Sequence, residues 1–336
     1  MTQCSEYVFG EVLHEGSSTR VVRGTHRLRG EQVVMKILIE ESPAPTLVDR
    51  LRHEHALLQE LTIKGVIRAL DLAPHGAGVM LVLESWGDTS LDRVLKQRPL
   101  AIATVLHLGA ALARVLGELH RCGLIHRDIK PQNVLVDAER TEVKLCDLGI
   151  ATRRRGRSQL SGDAESLGGT LAYMAPEQTG RMNRAVDGRA DLYALGVTLY
   201  EMLTGTLPFE STDALELIHA HIARAPEPPH ERARERAIPP AISAIVQKLL
   251  AKNPDDRYQT ADGVAFDLER AARAWGESGT VGPFDLGARD WDDRIRSPSR
   301  LFGRELESAA LLARFDEACG GAAVLMLVAG PSGVGK

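Results

Sequence analysis

Residues 7–39 alternate apolar and polar positions between glycine breaks, the period-2 pattern of β-hairpins. From Val48 to Leu61 the period becomes helical and sets Leu51, Leu57, Leu58 and Leu61 on one face. Val66–Leu72 and Val79–Leu83 return to strand character. From Ser90 onward helical periods take over, across 101–121, 187–204, 213–223, 240–252 and 259–275. Strands first and helices later predict an α+β architecture, a small sheet-rich lobe on a larger helical lobe, with a cleft between them where a nucleotide would lie. In residues 276–300 the periodicity ends: Gly276, Gly279, Gly282, Pro283, Gly287 and Pro298 interrupt it, and the stretch reads as a linker. Beyond it Glu305–Cys319 reads as a helix and Ala323–Leu327 as a buried strand.

Composition narrows the class. The 336 residues are 44% hydrophobic and 26% charged, as in ordinary globular protein, and the length suits about two domains. Aromatic residues are only 4%, so the core must be aliphatic. A net charge of −4 supplies no basic field for nucleic acid or an anionic membrane. Cys4, Cys122, Cys146 and Cys319 lie far apart without a C-x-x-C pair, so neither a disulfide framework nor a zinc site is expected, and a cytoplasmic, reducing location is. The N-terminus lacks the basic start and apolar run of a signal peptide. No stretch is expected to approach the roughly 18 apolar residues of a membrane helix.

The candidate chemistry lies in His126-Arg127-Asp128-Ile129-Lys130-Pro131-Gln132-Asn133. Here an Asp placed to accept a hydroxyl proton precedes, by five residues, an Asn placed to hold magnesium. Asp147-Leu148-Gly149 follows, similar to D-F-G, whose carboxylate holds magnesium between ATP phosphates. Alone, a charged loop ending in Asn is a solvated turn; two such motifs in this order argue against that. Upstream, Val33-Val34-Met35-Lys36 is the counterpart of V-A-I-K on the third predicted strand. With these residues, the chain resembles a eukaryotic-type Ser/Thr protein kinase domain over residues 7–275, within a domain assigned to 1–275.

That resemblance implies a bilobal kinase fold, ATP and Mg2+ (with Mn2+ as an alternative), and a role for each matching residue. Lys36 would pair with the α/β-phosphates and Glu54 would hold it, with Glu60, two turns nearer the helix end, the competing candidate. Asp128 would orient and deprotonate the incoming hydroxyl, Lys130 would neutralise charge on the moving γ-phosphoryl group, and Asn133 and Asp147 would hold the metal. Leu83-Glu84-Ser85-Trp86-Gly87 resembles the hinge, where Glu84 and Trp86 would meet adenine through main-chain groups; the Trp86 side chain is otherwise a packing residue. Gly16, Val21, Val34 and Leu135 complete the nucleotide set. Asp128-x-Lys130-Pro131-x-Asn133 resembles Ser/Thr rather than tyrosine kinases.

The family places Thr170 against Asp128 and Lys130. Ala175-Pro176-Glu177 is the counterpart of A-P-E, with Glu177 pairing Arg257, and Asp191 bracing the catalytic loop. Arg127 is placed to bind an activation-loop phosphate, with Ser158, Ser161, Ser166 and Thr170 as acceptors. Nearby Arg153, Arg154, Arg155 and Arg157 either assist or form a solvated loop. Cys146 is either a thiol lining the ATP site or a small core residue. His219 and His221 lack further ligands and read as surface residues.

Two departures from the family pattern stand out, the glycine-rich loop and Leu148 in Asp147-Leu148-Gly149, the latter mild because Leu fills the same apolar slot. The family's G-x-G-x-x-G-x-V aligns with His14-Glu15-Gly16-Ser17-Ser18-Thr19-Arg20-Val21, which keeps one glycine of three. Gly330-Pro331-Ser332-Gly333-Val334-Gly335-Lys336 is G-x-x-x-x-G-K, a P-loop interrupted before its Ser or Thr, and 301–336 reads as the start of an α/β P-loop NTPase domain. Glu177-Gln178-Thr179-Gly180-Arg181-Met182-Asn183-Arg184, followed by the linker and this P-loop, resembles large bacterial signalling proteins that join a Ser/Thr kinase to a STAND- or AAA-like ATPase, often with GAF and histidine-kinase modules. The expected activity is phosphorylation of protein Ser or Thr, the chain itself included, with no nucleic acid partner. Two other readings stand beside it: a kinase-like ATP-binding regulator gating the downstream ATPase, and a small-molecule phosphotransferase, which Ala175-Pro176-Glu177 with Arg257 disfavours.

Overall fold

The computed structural model describes residues 6–40, 42–87, 89–97, 99–137, 141–153, 171–182, 184–291, 305–320, 323 and 325–327. They belong to two units, Met1–Trp291 and Asp292–Lys336.

In the first unit β1 (Tyr7–Glu15), β2 (Thr19–His26), β3 (Gln32–Leu38), β4 (Ala69–His75) and β5 (Gly78–Glu84) form an antiparallel sheet ordered β1-β2-β3-β5-β4. Alternation along β3 gives this sheet two working faces. Val33, Met35 and Ile37 join Tyr7, Val22, Met80 and Val82 in a small core on one face. On the other, Leu38, Leu81 and Leu83 join the main core with helix α1 (Pro45–Glu60). Lys36 lies on this second face, opposite Val21 on β2 and Leu81 on β5. The helix buries Leu51, Glu54, Leu57 and Leu58, so a single carboxylate sits within an apolar stripe.

The larger lobe is built on α3 (Ile102–Arg121), which packs against α4 (Gly188–Thr204) and α8 (Ala261–Ser278). Before α3 come β6 (Thr89–Ser90) and α2 (Leu91–Gln97). After it come β7 (Leu124–Ile125), β8 (Val134–Val136), β9 (Val143–Leu145) and β10 (Thr152–Arg153). The remaining helices are α5 (Ala214–Ala223), α6 (Pro229–Arg232), α7 (Pro240–Leu249) and, in the second unit, α9 (Glu305–Cys319). The expectation that no stretch reaches membrane length is corrected by α3, whose 20 residues are long and apolar enough to span one. Its apolar residues are instead mostly buried in the lobe: a helix enclosed by neighbours is hydrophobic around most of its circumference.

Two further expectations change. Residues 276–291 are not a linker: α8 continues to Ser278, Val281 is buried, and Asp290 bonds back to the main chain of Gln259 and Thr260. Gly279 and Gly287, at φ 67 and 77, turn a loop that is tethered to the lobe rather than free. Residue 323 and residues 325–327 form no strand, and Leu325 and Leu327 are exposed, because no strand among the described residues pairs with them. The rest of the expected linker (292–300) and the P-loop residues Gly330, Gly335 and Lys336 lie outside the described residues.

Candidate active site

The ammonium of Lys36 lies between two carboxylates, 2.9 Å from Glu54 Oε2 and 2.9 Å from Asp147 Oδ1. Strand register delivers the lysine, the α1 stripe delivers Glu54, and Asp147 follows β9. Glu60 takes no part; it pairs with Arg153 on β10. Burial alone would pull Lys36 down, yet Asp147 and Glu54 hold it above the ordinary lysine value. One cation cannot compensate both acids equally. Burial pushes the Glu54 carboxyl up despite Lys36, and its side chain is 1% exposed. Asp147, with 40% of its side chain exposed, is carried down to about 2 because Lys36 and the Gly149 N–H outweigh its own desolvation. Asp147 is therefore the carboxylate that keeps its charge and faces the cleft.

The loop after β7 places Asp128 under a converging pair of donors. Lys130 Nζ donates to Asp128 Oδ2 at 2.7 Å, and Asn133 Nδ2 donates to the same oxygen at 2.9 Å and to the Asp128 carbonyl at 2.8 Å. Asp128 Oδ1 is buried without a hydrogen-bond partner. A buried carboxylate oxygen without a donor is costly, so it marks a place where a donor is expected to arrive. Arg127 stands in the left-handed region at φ 69, where a long L side chain is rare, and Asp147 does so at φ 64. Asp191, buried at the start of α4, holds the first of these turns: its Oδ1 accepts the Arg127 N–H at 2.7 Å and its Oδ2 the His126 N–H at 2.9 Å. His120 Nε2 lies 2.8 Å from the same Oδ2. Burial would raise Asp191, but the His120 contact keeps it below the usual carboxylate value.

Around this centre Val21 and Val34 face the cleft side of the sheet, and Leu135 is half-buried on β8 between the core residues Val134 and Val136. A Cβ at Gly87, which has φ 71, would stand 2.9 Å from the Val136 carbonyl and 3.8 Å from Leu135 Cβ, so the strand-end turn passes close over Leu135. Glu84 closes β5 with its carboxylate bound by the Arg68 N–H at 3.0 Å, by Arg68 Nε at 3.0 Å and by Lys144 Nζ. Lys144 also stands 5.3 Å over the Trp86 ring, which packs on the core, so the Trp86 side chain is a packing residue. Gly16 caps the β1–β2 turn, its N–H donating to Thr19 O at 2.8 Å, with ordinary room for a Cβ. Cys146 is a half-buried thiol, 3.5 Å from the Asn133 carbonyl; burial and then Asp147 push it up to about 12. The small-core reading of Cys146 fits this geometry.

The base of the following segment is fastened by Glu177 and Arg257. Both are buried, joined by two bonds of 2.7 and 2.9 Å, and Arg257 also donates to the carbonyls of Arg189, Ala251 and Lys252. Its guanidinium lies 4.8 Å over the Tyr193 ring. Arg127 is buried with its Nε unpartnered. Thr170, Ser158, Ser161, Ser166, Arg154, Arg155 and Arg157 lie outside the described residues.

Residues 7–266 match the protein kinase domain family. This chain belongs to that family. Among curated relatives, serine/threonine-protein kinase PknB of Mycolicibacterium smegmatis is 32% identical over 79% of this chain and 42% of its own length. Serine/threonine-protein kinase pkn3 of Myxococcus xanthus is 31% identical over 79% of this chain and 49% of its own. Serine/threonine-protein kinase PkaA of Streptomyces coelicolor is 32% identical over 81% and 51%. The chain thus spans about half, or less, of the relatives' length.

Several residues of this kinase site were not singled out from sequence. Gln178 Nε2 donates to the Arg127 carbonyl at 3.0 Å while its Oε1 accepts the Ala175 N–H at 3.0 Å, so one side chain ties the segment base to the catalytic loop. His53 on α1 reaches the Ala151 carbonyl at 3.0 Å, and Tyr173 donates to Glu201 at 2.6 Å. His221 is no surface residue: it is buried 2.9 Å from the Tyr193 hydroxyl and edge-on to Phe209. Neutral polar residues in a helix or loop carry no sequence pattern that separates these contacts from solvated positions. Only proximity of Gln178 to Glu177 offered a signal.

Proposed function

We propose that the chain is a bacterial protein serine/threonine kinase that transfers the γ-phosphoryl group of ATP to Ser or Thr hydroxyls of proteins, itself included. The observation that carries this reading is the polarised Asp128 carboxylate, with Lys130 and Asn133 on Oδ2 and nothing on buried Oδ1. A substrate hydroxyl donating to Oδ1 supplies the missing partner. As its oxygen bonds to the γ-phosphorus, the bond to the β–γ bridging oxygen breaks, ADP departs, and the hydroxyl proton passes to Asp128. Lys130, a fixed cation beside this point, opposes the charge spread over the transferring oxygens. Lys36, held charged by Glu54 and Asp147, is the α/β-phosphate partner. Glu84 and Trp86 offer main-chain groups to adenine between Val21, Val34 and Leu135.

Asp147, half-exposed and ionised, and the side-chain oxygen of Asn133 suit a hard divalent cation. Among described residues no cluster of three or more acidic, His or Cys side chains forms a complete cage, as expected where phosphates and water supply the other ligands. Asp147 and Asn133 would hold Mg2+, or Mn2+, which would supply positive charge against the charge developing on the phosphates. The free cysteines suit a reducing cytoplasm.

The reading of a kinase-like regulator rests on the sparse glycine loop. Lys36, Asp128, Asn133 and Asp147 favour the enzyme, since a regulator needs no polarised base. Incubating the chain with Mg2+, labelled ATP and a generic protein substrate decides between them. Label on Ser or Thr, lost in Asp128→Asn, is expected. ATP binding without any transfer would establish the regulator instead.

A further inference from the structure

Residues 279–291 lie beyond the span matched to the kinase family, yet they are tied to the helical lobe at several points. Asp290 is the principal one. Its Oδ2 accepts the Gln259 N–H at 2.7 Å, and its Oδ1 accepts both the Thr260 N–H and the Thr260 hydroxyl at 2.8 Å. Thr260 is the N-cap of α8 and accepts the Gly263 N–H at 3.0 Å. Gly263 is the residue that lets Asp290 approach: a Cβ there would stand 2.6 Å from Asp290 Cβ and Oδ1. Further along the same loop the Gly287 N–H donates to Asp267 at 2.7 Å and Lys248 donates to the Leu286 carbonyl at 3.0 Å. Arg270 covers the Phe284 ring at 4.6 Å, and Arg289 covers Phe266 at 4.6 Å.

The turn that Asp290 holds leads directly to the site. Gln259 Nε2 donates to the Arg257 carbonyl at 2.7 Å, and Arg189 Nη1 donates to Gln259 Oε1 at 3.2 Å. Arg257 in turn grips Glu177 and the Arg189 carbonyl. We propose that residues 279–291 are an integral strap of the kinase unit and that Asp290 is a positioning residue, holding the Gln259–Thr260 turn and, through Arg257, the Glu177 base of the segment that follows Asp147, against which a protein substrate would lie. The functional half of this proposal rests on the kinase reading above; the structural half does not. Asp290 is thus two residues from the boundary at which Asp292–Lys336 begins.

The test uses the full chain with Asp290→Ala, Gly263→Ala and the double variant. In an exposed helix the Gly263 change would stabilise, since Ala outranks Gly. Against a seated Asp290 it must lower the thermal midpoint, and the fall should shrink in the Asp290→Ala background. Amide exchange at Gln259, Thr260 and Gly287 should be slow in the wild type, and faster at Gln259 and Thr260 in Asp290→Ala. For transfer, Asp290→Ala should raise KM for a protein substrate several-fold with KM for ATP unchanged, a split that general loss of stability would not give. A stabilising Gly263→Ala, or fast exchange at these amides in the wild type, would overturn the strap. Slow exchange with both KM values unmoved would overturn the positioning role. An inert wild type with protected amides would sink the kinase reading, and the positioning role with it, while leaving the strap.

Discussion

Asp191 Oδ1 accepts the main-chain N–H of Arg127 at 2.7 Å, and this bond holds the catalytic loop in a left-handed turn, with Arg127 at φ 69. The same carboxylate accepts the His126 N–H, so a single buried side chain satisfies two consecutive amides that no strand or helix could serve. Removing it in Asp191→Ala leaves both N–H groups buried and unpaired, at about 1–3 kcal/mol each. The thermal midpoint should fall, and phosphoryl transfer should fall further than ATP affinity, because Asp128 follows the released turn while Lys36 does not. Nucleotide titration beside steady-state kinetics checks this; a proportional loss of both would contradict it.

The Glu177–Arg257 pair predicts a different pattern. Both side chains are almost wholly buried, and Arg257 spends its remaining donors on three carbonyls. Breaking such a pair from one side costs about 3–5 kcal/mol. Glu177→Ala should therefore lower the thermal midpoint by roughly 6–20 °C, taking about 2–4 °C per kcal/mol for domains of comparable size. Removing both partners should cost less than the sum of the single changes, since neither charge is then left buried alone. An additive double-mutant cycle would show that the two residues act independently.

Much of this site was legible in the sequence because its chemistry needs charged residues at fixed spacings within short loops. Lys36, Asp128, Asn133 and Asp147 stand in motifs of that kind, and the period-2 alternation put Lys36 on a strand. The choice of Glu54 over Glu60 also agrees with the geometry, since Glu54 shares the stripe of Leu51, Leu57 and Leu58 that packs on the sheet. Less legible were contacts between residues distant in sequence. Glycine and proline in 276–291 looked like a linker because local composition says nothing of Asp290 finding Thr260. His221 read as a surface residue because a helix pattern does not reveal that Tyr193 and Phe209 enclose it.

Cys146 should be unreactive despite its place next to Asp147. Its thiol is pushed up to about 12, first by burial and then by Asp147, so almost no thiolate exists at pH 8. Cys122 and Cys319 are exposed. Iodoacetamide at pH 8 followed by peptide mass spectrometry should label Cys122 and Cys319 well before Cys146. Early labelling of Cys146, protected by ATP, would instead identify a reactive thiol lining the nucleotide site.

Lys36→Met should make stability fall more steeply with rising pH than it does in the wild type. In the wild type one ammonium compensates Glu54 and Asp147 together. Without it Asp147 can lean on solvent, but Glu54, 1% exposed on its side chain, is left as a buried acid whose pKa burial already raises. A carboxyl raised in the folded state binds its proton more tightly there than in the unfolded chain, where Glu titrates near about 4.3. The sign follows: the protonated form is tolerated, and stability is lost as pH rises through the folded value. The midpoint difference between wild type and Lys36→Met should thus be small in mild acid and widen toward neutrality. Adding Glu54→Gln should remove the widening, because the amide fills the same space without charge. Thermal melts of the three proteins from pH 5 to pH 8 measure this directly. A gap constant across that range would mean that Glu54 finds another cation when Lys36 is absent. Phosphoryl transfer should be lost in Lys36→Met at every pH, since protonating Glu54 restores the fold but not the cation that meets the phosphates.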